Sequence, residues 1–218
     1  MDLFTMLRLP KLYKTLAIFL VIPFIMSTVY ATEAMKGDNK HVRVWNKFAN
    51  DSLSLHKKLT DGKNYEVKKT IGSYANIKDF YIEYRYFNKG TLISQVQWEK
   101  DNPSTLHTIE VYVHDKQGRV VRDYSAAYLP FYHNAPTQTL ISFHHYNNTL
   151  HAFRSFDASG DTILERCEGK DNKGRTVNLL LDEDDLFYDN DGIMNSAEYK
   201  QCFTGFKHDT LGKYIIPQ

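Results

Sequence analysis

Catalytic signatures are missing from this chain. It has no Gly-x-Ser-x-Gly elbow, no His-Glu-x-x-His pair, and no glycine-rich phosphate loop or dinucleotide fingerprint. The patterns that place an activated serine, a catalytic zinc or a nucleotide phosphate are therefore all wanting. Cysteine is scarce, with two residues, Cys167 and Cys202; joined in one disulfide, they leave no thiol to act as a nucleophile. Excess charge of either sign is lacking too. The 27 Lys and Arg face 26 Asp and Glu, which leaves no electrostatic footprint for nucleic acid. There is no low-complexity tract and no break in composition that would divide the chain into two domains. What the chain does have is aromatic residues, 15 Tyr and 13 Phe in 218, a composition that suits strands and argues against disorder.

A long apolar run occurs once. Arg8, Lys11 and Lys14 precede an uncharged stretch from Thr15 to Ala31 that ends in Val29-Tyr30-Ala31. A basic start, an apolar middle and a small residue at the exit predict a signal peptide over residues 1–31 and an exported domain over 32–218. The competing reading is a retained anchor, since the run nearly reaches the ~17–25 residues of a spanning helix. Pro23 inside the run and the polar exit favour cleavage, and with it no stable membrane insertion. Residues 1–31 carry three of the basic and one of the acidic residues, leaving 24 against 25 in the remainder. In the periplasm or outside the cell, Cys167 and Cys202 are expected to form a disulfide.

From residue 39 the pattern alternates between helix and strand logic. Val42, Trp45, Phe48, Ala49, Leu53, His56 and Leu59 form one stripe, predicting an amphipathic helix over 39–60 that stops at Asp61-Gly62. Residues 64–181 read as an antiparallel meander of about eight strands. In Phe80–Phe87, Phe80, Ile82, Tyr84 and Tyr86 alternate with Tyr81, Glu83 and Arg85, giving one apolar face and one polar, aromatic-studded face. Asp115-Lys116-Gln117-Gly118 marks a reversal, because Asp can bond the backbone two residues on and Gly takes a left-handed conformation. The device recurs at Asp157–Gly160 and Asp171–Gly174. The Pro-bounded Leu129–Thr137 interrupts the strands as a loop. Residues 182–218 are expected to hold an acidic loop, a short helix over Ser196–Phe203 and an irregular tail. The fold class is α+β.

The segments YVHDKQGRV and RSFDASGDT share an aromatic residue, Asp and Gly in order. Over about thirty residues they resemble the YD-type hairpin repeats of RHS shell proteins. His114 stands where the repeat has Tyr, and no sustained array follows. The resemblance implies a shared hairpin turn rather than a shell.

Two stretches could hold a metal. Asp189, Asp191, Gly192 and Glu198 match positions 3, 5, 6 and 12 of a calcium-binding EF-hand loop, with Asn195 at position 9 and the Ile193 carbonyl at position 7. Phe187 occupies position 1, where the motif has Asp, so the loop is degenerate. The bland alternative is a turn capping the helix that carries Cys202. The second stretch is a hairpin. A two-residue turn at Asn147-Asn148 would set His144 opposite His151, close enough for two imidazoles to share one metal, with no third ligand fixed by spacing. Glu83 and Glu110 could be paired carboxylates, though isolated strand glutamates are more often a solvated face. Because no catalytic constellation appears, the expected function is a non-enzymatic binding or interaction domain of the periplasm, using the Tyr-rich sheet face and the Leu129–Thr137 loop for an unknown protein or small molecule, with calcium as its candidate cofactor. A metal-dependent enzyme of the periplasm is the alternative.

Overall fold

The structure is a computed structural model that describes residues 39–62, 64–188, 192–206 and 211–218. The predicted signal peptide lies outside them. From Lys40 onward the chain forms one unit, Lys40–Gln218, and none of the described helices is long and apolar enough to cross a membrane.

Helix α1 spans Asn39–Thr60. Lys57 and Lys58 sit in its last turn, where cations offset the negative end of the helix dipole, and Gly62 beyond it takes φ 63°, a C-terminal stop that a Cβ would penalise. The face it buries is centred on Phe48, Ala49, Ser52, Leu55 and His56. Trp45, Leu53 and Leu59 flank that centre, but Val42 of the expected stripe does not join the core cluster.

Nine strands follow as one sheet: β1 (Glu66–Tyr74), β2 (Ile77–Asn88), β3 (Thr91–Glu99), β4 (Leu106–His114), β5 (Val120–Ala127), β6 (Gln138–Asn147), β7 (Leu150–Phe156), β8 (Thr162–Lys170) and β9 (Thr176–Leu181). Their order across the sheet is their order in sequence, and every neighbouring pair is antiparallel. Each Asp-x-x-Gly reversal forms as its chemistry requires. In the first, Asp115 Oδ1 accepts the backbone N–H of Gln117 and Arg119, while Gly118 takes φ 81°. The Leu129–Thr137 loop also forms, with a Leu129–Tyr132 bridge inside it.

Side chains alternate between the two faces of a strand, and one face makes the core. Ser94, Val111, Tyr124, Ile141 and Phe156 lie in a cross-strand row, next to a row of Val96, Ile109 and Ala126. Helix α1 packs on them, and Val111, Tyr124 and Ile141 are 0% exposed. Further along the same face, Ala152, Cys167 and Leu179 meet the helix that carries Cys202 and Phe203. Each such fully buried side chain contributes ~1.5–3 kcal/mol of transfer free energy.

After β9 the expected acidic loop is in part a helix. Helix α2 (Glu183–Tyr188) opens with Glu183, Asp184 and Asp185 in its first turn, and Asp182 Oδ1 accepts the N–H groups of Asp184 and Asp185. The acidic run is a helix start, where negative charge faces the positive end of the dipole. A 3₁₀ turn (Ile193–Asn195) leads to α3 (Ala197–Phe203), which Ser196 caps by accepting from the Tyr199 N–H. The tail, expected to be irregular, contains one further turn of helix, α4 (Leu211–Tyr214). Cys167 and Cys202 are disulfide-bonded, with Cα atoms 6.0 Å apart.

Candidate binding face

The face opposite α1, α3 and α4 is polar, and its side chains hold one another in place. On β2, Glu83 accepts from Gln97 (2.7 Å) and Thr70 (3.3 Å) and pairs with the Arg85 guanidinium (2.7 Å). These partners leave Glu83 only 4% exposed. On β4, Glu110 accepts from Gln95 at 3.2 Å and from the Tyr112 hydroxyl. Burial, and then the Glu110 charge and hydrogen bond, push the Tyr112 hydroxyl well above its ordinary pKa, so it stays a donor. Glu83 and Glu110 are not a carboxylate pair. They stand on β2 and β4, separated by the Gln95 and Gln97 amides of β3.

A separate hydrogen-bonded group lies on the same face across β5, β6 and β7. Asp123 Oδ2 lies 2.6 Å from His144 Nε2, and His144 Nδ1 lies 2.8 Å from His151 Nε2. On the far side His151 Nδ1 is 4.0 Å from Glu168 Oε1. The two imidazoles share a face, as the hairpin pattern implies, but they are diagonal rather than opposite. His144 faces Phe153, His151 faces Tyr146, and Asn147 faces Leu150. The turn is thus Asn148-Thr149, with Asn148 at φ 54°, two positions of register away from the expected pairing. A slip of two keeps both rings on the same face; a slip of one would have separated them.

The ring geometry identifies the contact. The centroids are 5.1 Å apart and the planes 19° apart. That separation equals the N···N distance plus the two ring radii, so the nitrogens meet edge to edge along one line. This is an imidazole–imidazole hydrogen bond. A metal on that line would need the nitrogens ~4 Å apart, given Zn–N bonds of ~2.0–2.1 Å. Among the described residues no group of three or more His, Cys, Asp or Glu is placed to hold a metal ion.

Of the candidate calcium ligands, only Ile193, Asn195 and Glu198 are among the described residues. Asp189 and Asp191 lie outside the described residues. Glu198 pairs with Arg175 at 3.2 Å, the Ile193 carbonyl accepts the Ser196 N–H, and Asn195 is exposed.

The tyrosines lie on both sides of the sheet, with Tyr84 and Tyr86 on the core side, as their alternation with Tyr81 implies. Tyr81, Tyr112 and Tyr146 lie on the polar face, whereas Tyr124 is fully buried beneath α1. At one end of the sheet, Phe131 stands out of the Leu129–Thr137 loop, 77% exposed and at φ 64°. Asp123 and Glu168 were not singled out by the sequence, because their role depends on the register of three neighbouring strand pairs.

No family model matches the chain, and neither does any curated protein. Among solved structures, a DUF2874 family protein from Bacteroides uniformis is similar over 59% of this chain and 87% of its own, at 10% identity and a TM-score of 0.27. A likeness at that level supports no inference about fold or function, so the functional reading rests on geometry.

Proposed function

We propose that residues 32–218 act as a non-enzymatic binding domain of an exported protein, and that the polar sheet face reads its ligand. The observation that carries this is a row of three hydrogen-bonded groups on one face: Glu83 with Thr70 and Gln97, Glu110 with Gln95 and Tyr112, and His144 with Asp123 and His151. Groups already fixed by their neighbours lose little rotamer freedom when a ligand arrives, which lowers the cost of binding. The row offers carboxylate and amide groups beside the rings of Tyr81, Phe153 and Tyr146, a combination that fits a partner with hydrogen-bond donors and a flat apolar surface, either a peptide or a small molecule. Export is supported by the basic-then-apolar N-terminus and by the disulfide.

The test is capture of the full-length protein, purified from the cell that exports it, on peptide and glycan arrays. Signals from the native protein should be lost in Gln97→Ala and Glu110→Gln at an unchanged melting temperature. Equal capture by native and variant proteins would move the site elsewhere, and no capture on either array would reject the reading. Calcium belongs to the proposal as an accessory, supported by the spacing of Asp189, Asp191 and Glu198. A thermal shift in millimolar calcium that Asp191→Ala abolishes supports it; an equal shift in both proteins shows screening of the acidic run.

A further inference from the structure

We propose that Asp123, His144, His151 and Glu168 form a single proton-binding unit, which takes up one proton with all its hydrogen bonds kept and refuses a second. A carboxylate only accepts, so the 2.6 Å contact to Asp123 requires the proton of neutral His144 on Nε2. His144 Nδ1 is then a bare acceptor, and His151 must donate to it from Nε2 across 2.8 Å. That leaves His151 Nδ1 bare, 4.0 Å from the Glu168 carboxylate.

An added proton has one place to go without breaking anything. On His151 Nδ1 it makes an imidazolium that still donates to His144 and gains Glu168 as its counter-ion. A further proton would have to sit on His144 Nδ1, setting two N–H groups head to head across 2.8 Å. The unit thus behaves as one coupled site and not as two independent histidines.

The surroundings set where uptake occurs. Tyr112 on β4, which donates to Glu110, faces Asp123, and Arg119 and Asp115, from the hairpin before β5, act on Tyr146. Tyr146 lies flat on His151, with centroids 4.6 Å apart and planes at 4°. From β8, Arg166 pairs with Glu168 at 2.8 Å. Burial is the largest influence on His151 and lowers its pKa; the neighbouring His144 lowers it further, Glu168 raises it, and Arg166 lowers it. Uptake therefore falls below 6.5, the ordinary histidine value. One charge then appears on the face proposed to read the ligand, although the proton site does not depend on that reading.

Histidine-selective ¹⁵N NMR of the full-length protein between pH 8 and pH 4.5 tests this without any ligand. At pH 8 the ring nitrogens should report Nε2–H on both residues. On acidification both rings should respond with one shared midpoint below 6.5, and Glu168→Gln should lower that midpoint. Glu168 is a solvent-facing partner, so the variant should keep its fold. Separate midpoints for the two rings, a step on His151 to which His144 is blind, no step down to pH 4.5, or an unmoved midpoint in Glu168→Gln would each overturn the proposal.

Discussion

Gly118 and Gly169 separate backbone strain from steric overlap. At Gly118, with φ 81°, an added Cβ would meet nothing within 4 Å, so substitution costs only the left-handed backbone. At Gly169, with φ 130°, the added Cβ would lie 2.1 Å from the Thr149 carbonyl oxygen and 3.0 Å from its carbon. These are backbone atoms of the β6–β7 turn and cannot rotate away. We expect Gly118→Ala to cost ~1 kcal/mol and Gly169→Ala ~3 kcal/mol, read from urea midpoints; equal losses would mean that the β7–β8 contact is looser than described. His107 gives a pH-dependent counterpart. It is 3% exposed, ringed by Tyr74, Phe80 and Tyr81, and burial chiefly lowers its pKa, as it does for His56. Above the unfolded value of 6.5 both states are neutral and stability is full. As the pH falls from there, the unfolded chain binds protons that the folded chain refuses, and stability is lost. His107→Phe should flatten the decline in urea midpoint between pH 7.5 and 5.5, and an unchanged slope would remove His107 from the account. Asp115 and Asp171, held below the ordinary 3.8 by backbone and Arg hydrogen bonds that outweigh their desolvation, act in a lower window, where stability present above 3.8 is lost on further acidification.

At the scale of elements, α3 is held to the sheet by more than its disulfide. Arg154 and Glu165 pair beneath it with side chains 3% exposed. Tyr199 of α3 donates to Glu165 at 2.7 Å, and burial followed by that bond pushes its hydroxyl up to about 12. The Arg154 guanidinium also lies 5.5 Å from the Phe203 ring centroid. Removing one member of a buried pair strands the other charge, so Arg154→Met or Glu165→Leu alone should cost ~3–5 kcal/mol, and the double variant less than either. Additive losses in this double-mutant cycle would mean that the pair is not coupled. The same elements show what the sequence could and could not tell. The Asp-x-x-Gly hairpins were legible because their bonds reach only two to four residues along the chain. The disulfide was legible because two cysteines allow one pairing. The β6–β7 hairpin was legible in its face but not its register: Asn147 and Asn148 both suit a turn, and the choice rests on contacts beyond the hairpin, such as Thr149 Oγ1 donating to the Lys170 carbonyl. The acidic run misled because Asp182 and the three acids after it serve a loop and a helix start equally well. The Asp123–His144–His151–Glu168 line was illegible because it needs the β5–β6, β6–β7 and β7–β8 registers at once.

For the molecule as a whole, strand order equal to sequence order means that the sheet is a chain of nearest-neighbour contacts, stapled by helices at two places. Helix α1 ties β3 to β6 through Phe48, Leu55, Val96, Ile109, Tyr124 and Ile141. The second staple, α3 with its disulfide, ties β7, β8 and β9 through Leu150, Cys167, Val177, Cys202 and Phe203. Strand β1 has neither, and all its residues but Gly72 and Tyr74 are exposed. Opening should therefore be local, because regions with few buried apolar contacts exchange at free energies well below global unfolding. In native-state hydrogen exchange, β1 should exchange fastest and β4 and β5 slowest. Replacing both Cys167 and Cys202 by Ala removes a 35-residue closure worth ~3–4 kcal/mol in the chain-entropy model. If the two staples act separately, that loss should appear as faster exchange in β8, β9 and α3, with protection in β3–β5 nearly unchanged. If protection instead falls by the same factor in every strand, the sheet unfolds as one cooperative block, and the two clusters are a single core in energetic terms.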